Sequence, residues 1–271
     1  MTSFKDKYTL YENECPGLGG MIPDEDLYTF AVLSRILGGV CSLTVTDQNS
    51  FIICLSNEKY PVWVWLKRDA GEDILGECYD VIKELFPFGK HRYNATYEVA
   101  DYLIDRAKGE GVDLAISTNM LAYGCDEPIE PRVTDAKLAL ARSEEIELAT
   151  DYITEFHIEA NIDLTDRARY REKAESLISE RHLFFMKNGR NEAVAMCSYS
   201  GIGRLATVSS VYTPKRFRRR GYAAQMVYLV TRLILESGKL ASIYTDADYA
   251  ASNACYTKIG YKLRGRLCTF K

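Results

Sequence analysis

The chain has 271 residues, 47% of them hydrophobic and 27% charged, which excludes disordered, collagen-like and low-complexity classes. At about 150 residues per domain, that length points to roughly two domains. Thirty-four Lys and Arg against 38 Asp and Glu leave a net charge of −4, so nothing attracts the whole molecule to nucleic acid or an anionic membrane. In chain order, Met1–Tyr8 carries early charges and lacks the apolar core of a signal peptide. Cys15-Pro16-Gly17-Leu18-Gly19-Gly20 reads as a turn and is followed by an apolar-periodic stretch, Asp26–Leu37. Phe51–Leu55 and the β-branched, aromatic run Val62–Leu66 read as strands. Ile74, Cys78, Tyr79, Ile82 and Leu85 keep helical spacing over 72–86, and Pro87 stops that helix. Thr96 is an N-cap candidate for a helix with Val99, Leu103 and Ile104 on its inner face, and Leu114–Ser117 reads as a short strand.

Cys125–Arg132 holds two prolines and charge without periodicity, which suits a linker between domains at 1–130 and 134–271. Leu138–Ala141 predicts a strand, and Ser143 an N-cap for a helix to about Ala160, with a second helix after Thr165. Strands are predicted at His182–Met186, Ala193–Tyr199, Leu205–Thr213 and Ser242–Thr245. Tyr222–Ser237 is a helix with one apolar stripe, closed by Gly238, and Ser252–Ile259 is another, closed by Gly260. Lys262–Phe270 is the last strand. None of the eight cysteines forms a C-x-x-C pair, and several lie inside apolar runs, so buried thiols in a reducing cytoplasm fit better than disulfides. No apolar stretch reaches the ~20 residues needed to span a bilayer.

The informative segment is Val208–Ala224. A strand ends at Pro214, five of the six residues Lys215–Arg220 are basic, and a helix starts near Gly221. Unpaired N–H groups and the positive dipole end at such a start suit a pyrophosphate, and Gly221, Ala223 and Ala224 keep the backbone accessible to it. Each such contact is worth about 0.3–1 kcal/mol when exposed, and up to ~2 when partly buried.

At these residues the chain resembles the GNAT superfamily of acyl-CoA-dependent N-acyltransferases. Arg218-Arg219-Arg220-Gly221-Tyr222-Ala223 matches its R/Q-x-x-G-x-G/A loop. Tyr244-Thr245-Asp246 and Ser252–Tyr261 look like its later strand, helix and entry to the final strand. The resemblance covers roughly 134–271 and implies an α/β (α+β) fold: a mixed, mostly antiparallel sheet flanked by helices. The first half would be a degenerate GNAT-like α/β domain supplying part of an acceptor pocket or a dimer surface.

The implied activity is transfer of an acetyl group from acetyl-CoA to a primary amine of a small molecule or amino acid, without a metal. The loop amides from Arg218, Arg219, Arg220, Gly221, Tyr222 and Ala223 to Ala224 would hold the pyrophosphate. Strand residues Val211, Tyr212 and Thr213 would hold the pantetheine arm, and Asn253 would bond the pantetheine or phosphate side. Tyr256 would act as general acid at the thioester sulfur. Glu155, His157, Glu159, Asp246, Asp248 and a water chain stay open as the base.

Two other classes compete. One is a non-catalytic acyl-CoA sensor, which would keep the loop and lose turnover. The other is a nucleic-acid module using residues 215–220, which the acidic net charge and the downstream motif disfavour. Cys255 fits packing better than nucleophilic catalysis, since direct transfer needs no covalent intermediate. Trp63 and Trp65 suit a core or a domain interface.

Overall fold

The computed structural model describes residues 7–14, 17–162, 164–201 and 203–271. Most of the charged start at Met1–Asp6, together with Cys15 and Pro16 of the predicted turn, lies outside them. The chain divides into two compact units. The first comprises Met1–Ala122, Thr245–Asp248 and Arg264–Lys271, and the second comprises Tyr123–Tyr244 and Tyr249–Leu263.

The first unit contains β1 (Thr9–Glu12), β2 (Leu43–Thr46), β3 (Phe51–Leu55), β4 (Val62–Leu66) and β5 (Tyr93–Ala95), and takes in most of β12 (Lys262–Phe270). Their order in the sheet is β1-β2-β3-β4-β5-β12. All these pairings are antiparallel except β4 with β5, which is parallel. Every residue of β3 and β4 is buried, as the unbroken runs FIICL and VWVWL require of strands covered on both faces. Among the described residues, the helices α1 (Ala31–Leu37), α2 (Glu72–Leu85) and α3 (Tyr97–Gly109) accompany them. The core joins Val62 and Val64 to Tyr79 and Ile82 of α2, Val99 and Leu103 of α3, and Phe270 of β12. Phe270 stacks on Tyr93 at 5.1 Å, and Thr269 donates a hydrogen bond to Asn94 at 2.7 Å. The far end of the chain therefore completes the core of the first unit.

The second unit has β11 (Leu240–Asp246), β10 (Leu205–Tyr212), β9 (Ala193–Ser200), β8 (Leu183–Lys187) and β7 (Lys137–Leu140) side by side in that order. Only β10 with β11 is parallel. Helices α4 (Ile146–Ala160) and α5 (Arg167–Ser179) bury Tyr152, Ile153, Tyr170 and Ala174 against Phe185, Met196 and Tyr212. Helix α6 (Tyr222–Glu236) connects β10 to β11, as α2 connects β4 to β5. It is followed by α7 (Ala250–Lys258). Each unit thus repeats one scheme, a parallel strand–helix–strand crossover inside an otherwise antiparallel sheet. β6 (Ile116–Cys125) runs through the change from the first unit to the second.

Several local expectations differ. The periodic stretch from Asp26 is helical only over Ala31–Leu37. Its first five residues form turns, entered by backbone bonds from the Asp26 N–H to the Pro23 carbonyl at 2.9 Å and from the Leu27 N–H to that of Asp24 at 3.3 Å, and the Asp26 carboxylate accepts from the Trp65 indole at 3.0 Å and Arg68 at 2.7 Å. Thr96 sits at the N-cap of α3 without a side-chain capping bond. A 3-10 turn over Ser143–Glu145 precedes α4, and the Glu145 carboxylate accepts from the Arg142 N–H at 3.1 Å, so Ser143 is not the cap. β6 continues to Cys125, into the first residue of the predicted linker. The seven described cysteines are free thiols, six buried and Cys255 half-buried. Among the described residues, no helix is long and apolar enough to cross a membrane.

Burial sets an alkaline limit on stability. It pushes the Cys78 and Cys197 thiols and the Tyr261 phenol well above their ordinary values, and Cys268 up to about 11. A raised folded pKa contributes stability that is complete below the unfolded value and lost as pH climbs toward the folded one. The unfolded chain releases these protons first, from near pH ~8.5 for Cys and ~10 for Tyr. Each group then removes about 1.4 kcal/mol per pH unit. Urea midpoints are expected to fall from about pH 8.5 and more steeply above ~10; a flat profile to pH 11 would contradict this burial.

Candidate functional site

β10 and β11 keep parallel register only from Leu205↔Leu240 to Val208↔Ile243. Past Val208 the pairing of β10 with β9 also shifts, between Ser209 and Tyr212, and Ser210 takes a left-handed φ of 50°. A bulge of this kind bends its strand and ends regular pairing. Buried Ser210, Tyr212 and Pro214 then alternate with half-buried Val211 and Thr213. The Thr213 hydroxyl is buried and has no hydrogen-bond partner, a state that costs about 1–3 kcal/mol unless a ligand or water meets it.

The basic loop follows. Lys215–Phe217 makes a 3-10 turn, Arg218 is extended, and Arg219 and Gly221 adopt φ of 64° and 89° before α6 begins at Tyr222. Closely spaced left-handed residues turn backbone N–H groups into an anion-binding concavity. The first-turn N–H groups of α6 have no carbonyl four residues back to bond. No acidic residue stands in that first turn. At Gly221 a Cβ would meet only the Thr134 methyl, at 3.5 Å, so the left-handed backbone rather than crowding favours glycine there. Tyr222 donates to Asp135 at 2.9 Å, and this bond, aided by burial, raises its phenol pKa. The Gln225 side-chain carbonyl accepts from the Thr134 N–H and hydroxyl at 2.8 and 2.6 Å. These contacts tie the start of α6 to residues 134–135.

The loop's arginines divide by task. Arg218 donates through Nε to the Thr213 carbonyl at 2.8 Å and through Nη2 to Glu159 of α4, with its guanidinium 6.0 Å over the Tyr212 ring. It braces the turn, whereas Arg219 and Arg220 are exposed. Arg216 lies 4.7 Å over Phe217, and Lys215 reaches Glu159 at 3.8 Å. One turn earlier on α4, Glu155 accepts a hydrogen bond from the Tyr212 hydroxyl. Burial, then that bond, holds the phenol well above its ordinary pKa. The Glu155–Glu159 spacing places both carboxylates on one helix face. Neither partnership is visible in the sequence, because the pairs lie 57 and 59 residues apart.

Asn253 and Tyr256 share a face of α7, three residues apart, and α7 packs on α6. Asn253 is half-buried and Tyr256 buried, its ring 6.1 Å from that of Tyr261. Burial pushes the Tyr256 phenol far up, so it stays protonated throughout the physiological range. Burial also raises the Cys255 thiol, so little thiolate forms and packing is its role.

The candidate bases are mostly engaged. His157 is buried with Nδ1 2.9 Å from the Ile162 carbonyl and Nε2 3.1 Å from the Lys173 ammonium. A carbonyl only accepts and an ammonium only donates, so Nδ1 carries the proton and Nε2 accepts. Asp246 and Asp248 fall in the segment counted with the first unit, where Asp246 accepts from the Asp248 N–H at 2.8 Å and Asp248 from the Asn119 amide at 3.2 Å.

Residues 184–269 match the family described as FR47-like protein, which is GNAT-related. No curated protein sequence matches the chain. Among solved structures it is similar to a GCN5-related N-acetyltransferase from Sphaerobacter thermophilus, with a TM-score of 0.65 and 13% identity over 98% of this chain and 95% of that one. It is also similar to an acetyltransferase of the GNAT family from Colwellia psychrerythraea (0.63, 13%, over 97% and 98%). A tandem GNAT protein from the clavulanic acid biosynthesis pathway gives 0.55 at 10% identity over 97% of both chains. The chain has the two-domain GNAT fold, and the resemblance to that superfamily is borne out.

Proposed function

We propose that the second unit binds acetyl-CoA along β10 and the 218–224 loop and transfers its acetyl group to a primary amine of a small molecule or amino acid. One observation carries this: the β10–β11 pairing stops at Val208, and the freed strand runs directly into a left-handed, acid-free helix start. The N–H groups from Arg218 to Ala224 are suited to the pyrophosphate, with Arg219 and Arg220 beside it. Val211, Tyr212 and Thr213 offer backbone to the pantetheine amides, the unpartnered Thr213 hydroxyl adds a polar contact, and Asn253 bonds the same arm. The amine nitrogen attacks the thioester carbonyl carbon, and a β10 N–H stabilises the oxyanion. The C–S bond then breaks, and in one concerted step the sulfur takes the Tyr256 hydroxyl proton while that oxygen regains the ammonium proton through water.

A second reading, an acyl-CoA sensor without turnover, draws on the engaged state of Glu155, Glu159 and His157. Both readings expect acetyl-CoA to raise the melting temperature, by the equivalent of ~2.7 kcal/mol at 100 times its Kd. Thiol release across a panel of primary amines separates them. Saturable release with at least one amine is expected. Stabilisation without release from any amine would favour the sensor, and no stabilisation would remove the CoA site. The free buried thiols fit a cytoplasmic setting, and a homodimer is compatible with this reading.

A further inference from the structure

The Glu159 carboxylate of α4 accepts from Arg218 Nη2 and has the Lys215 ammonium 3.8 Å away. Arg218 in turn donates through Nε to the Thr213 carbonyl at 2.8 Å. One guanidinium therefore closes the turn over 213–218 and anchors it to a helix outside the loop. Both side chains of the Glu159–Arg218 pair are about one-third exposed, so solvent screens the pair less than it would a fully exposed one. Immediately after Arg218, Arg219 takes a φ of 64°, a left-handed backbone that a non-glycine residue keeps only where its surroundings hold it. The Arg219 side chain is exposed, so the hold comes from its neighbours: the braced Arg218 on one side, and Gly221 with the start of α6 on the other.

We infer that Glu159 is a positioning residue: through Arg218 it fixes the backbone of 219–221 in the conformation that faces a pyrophosphate, before any ligand arrives. The inference rests on the acyl-CoA reading of the second unit and adds to it a residue that sets donor affinity. Charge and positioning predict opposite signs. A carboxylate beside a polyanion site repels the ligand, so by charge alone its removal would tighten binding. By positioning, its removal frees Arg218, lets Arg219 leave the left-handed region, and makes binding bear the conformational entropy of ordering the turn. A change of φ at Arg219 reorients neighbouring N–H groups together, so several contacts are lost at once. The repulsion from Glu159 is a single interaction, screened by salt and already offset by Lys215 and Arg218. Positioning therefore outweighs charge.

Calorimetric titration of the full-length protein with acetyl-CoA tests this assignment. Glu159→Ala is expected to weaken acetyl-CoA about tenfold. Glu159→Gln, whose side-chain carbonyl still accepts from Arg218, is expected to weaken it by no more than about threefold. Arg218→Ala combined with Glu159→Ala is expected to bind as weakly as Arg218→Ala alone, because the two residues act through one contact. Unchanged or tighter binding by Glu159→Ala would overturn the assignment alone, as would equal weakening in Glu159→Gln and Glu159→Ala, or a double variant weakened by the product of the two single effects. No binding by the parent would overturn the acyl-CoA reading and this assignment with it.

Discussion

Replacing Gly260 with alanine is expected to destabilise the protein by about 2–6 kcal/mol, enough to threaten a domain whose total stability is of order 5–15. Gly260 stands immediately after the C-cap of α7 at φ 101°, where L residues rarely go. The Tyr261 N–H bonds the Tyr256 carbonyl at 3.1 Å and the Gly260 N–H bonds that of Thr257 at 3.1 Å, the paired closure of a Schellman motif. A Cβ at Gly260 would lie 2.6 Å from the Glu127 carbonyl oxygen and 3.3 Å from the Ile129 nitrogen. Both are backbone atoms, and Ile129 is fixed by its 2.7 Å bond to the Ile259 carbonyl, so the clash cannot be relieved by a rotamer change. Overpacking contributes about 1–3 kcal/mol and the forced backbone another 1–3. Gly238→Ala isolates the second term, because Gly238 has φ 78° and nothing within 4 Å; it is expected to cost about 1–2 kcal/mol. Urea midpoints measure both. Equal losses at the two sites would show that contact with Glu127 does not decide the outcome.

Tyr256→Phe is expected to lower kcat of order ~10², the usual range for losing a positioned proton donor, while acetyl-CoA affinity changes less than about twofold. The substitution removes one oxygen and keeps the ring that packs beside Tyr261, so the fold is expected to survive. Burial raises the Tyr256 phenol far above its ordinary value, whereas a free thiol ionises near ~8.5. A completed transfer from phenol to thiolate would therefore run uphill. The role that fits is a hydrogen bond that strengthens as the C–S bond lengthens, with the proton passing in concert or through water. The raised value has a second consequence: the parent's kcat is expected to show no falling limb from Tyr256 ionisation up to pH ~10. Steady-state kinetics of the two proteins test this pair of statements. An unchanged kcat in Tyr256→Phe would remove the residue from the reaction.

Much of the frame is local in origin. β3, β4 and β12 occupy the spans expected of them, because unbroken β-branched and aromatic runs between turn residues carry their own signal. α2 and α6 are bounded by equally local features, an acidic start before an amphipathic stripe and a glycine after one. β1, β2 and β5 were not legible. They are three or four residues long and exist because a neighbouring strand pairs with them. β6 extends through Asn119 and Gly124, residues with poor strand propensity, where tertiary pairing overrides preference.

The candidate site divides along the same line. The run from Pro214 to Ala224 writes its backbone into its own residues: a proline to end the strand, a glycine that accepts positive φ, and small residues at the helix start. What each side chain does there depends on partners far along the chain. Arg218 braces the loop because Glu159 arrives from α4, and Tyr212 turns inward because Glu155 waits for it.

Length, composition and charge determined by themselves that this is a globular chain of about two domains, and the local motif set the backbone of its phosphate-type loop. Only the tertiary structure decided that residues 264–271 complete the first unit and that its crossover helix starts with acids where that of the second unit has none. Periodicity records which face of an element is buried, but the identity of the covering segment depends on packing between residues distant in sequence.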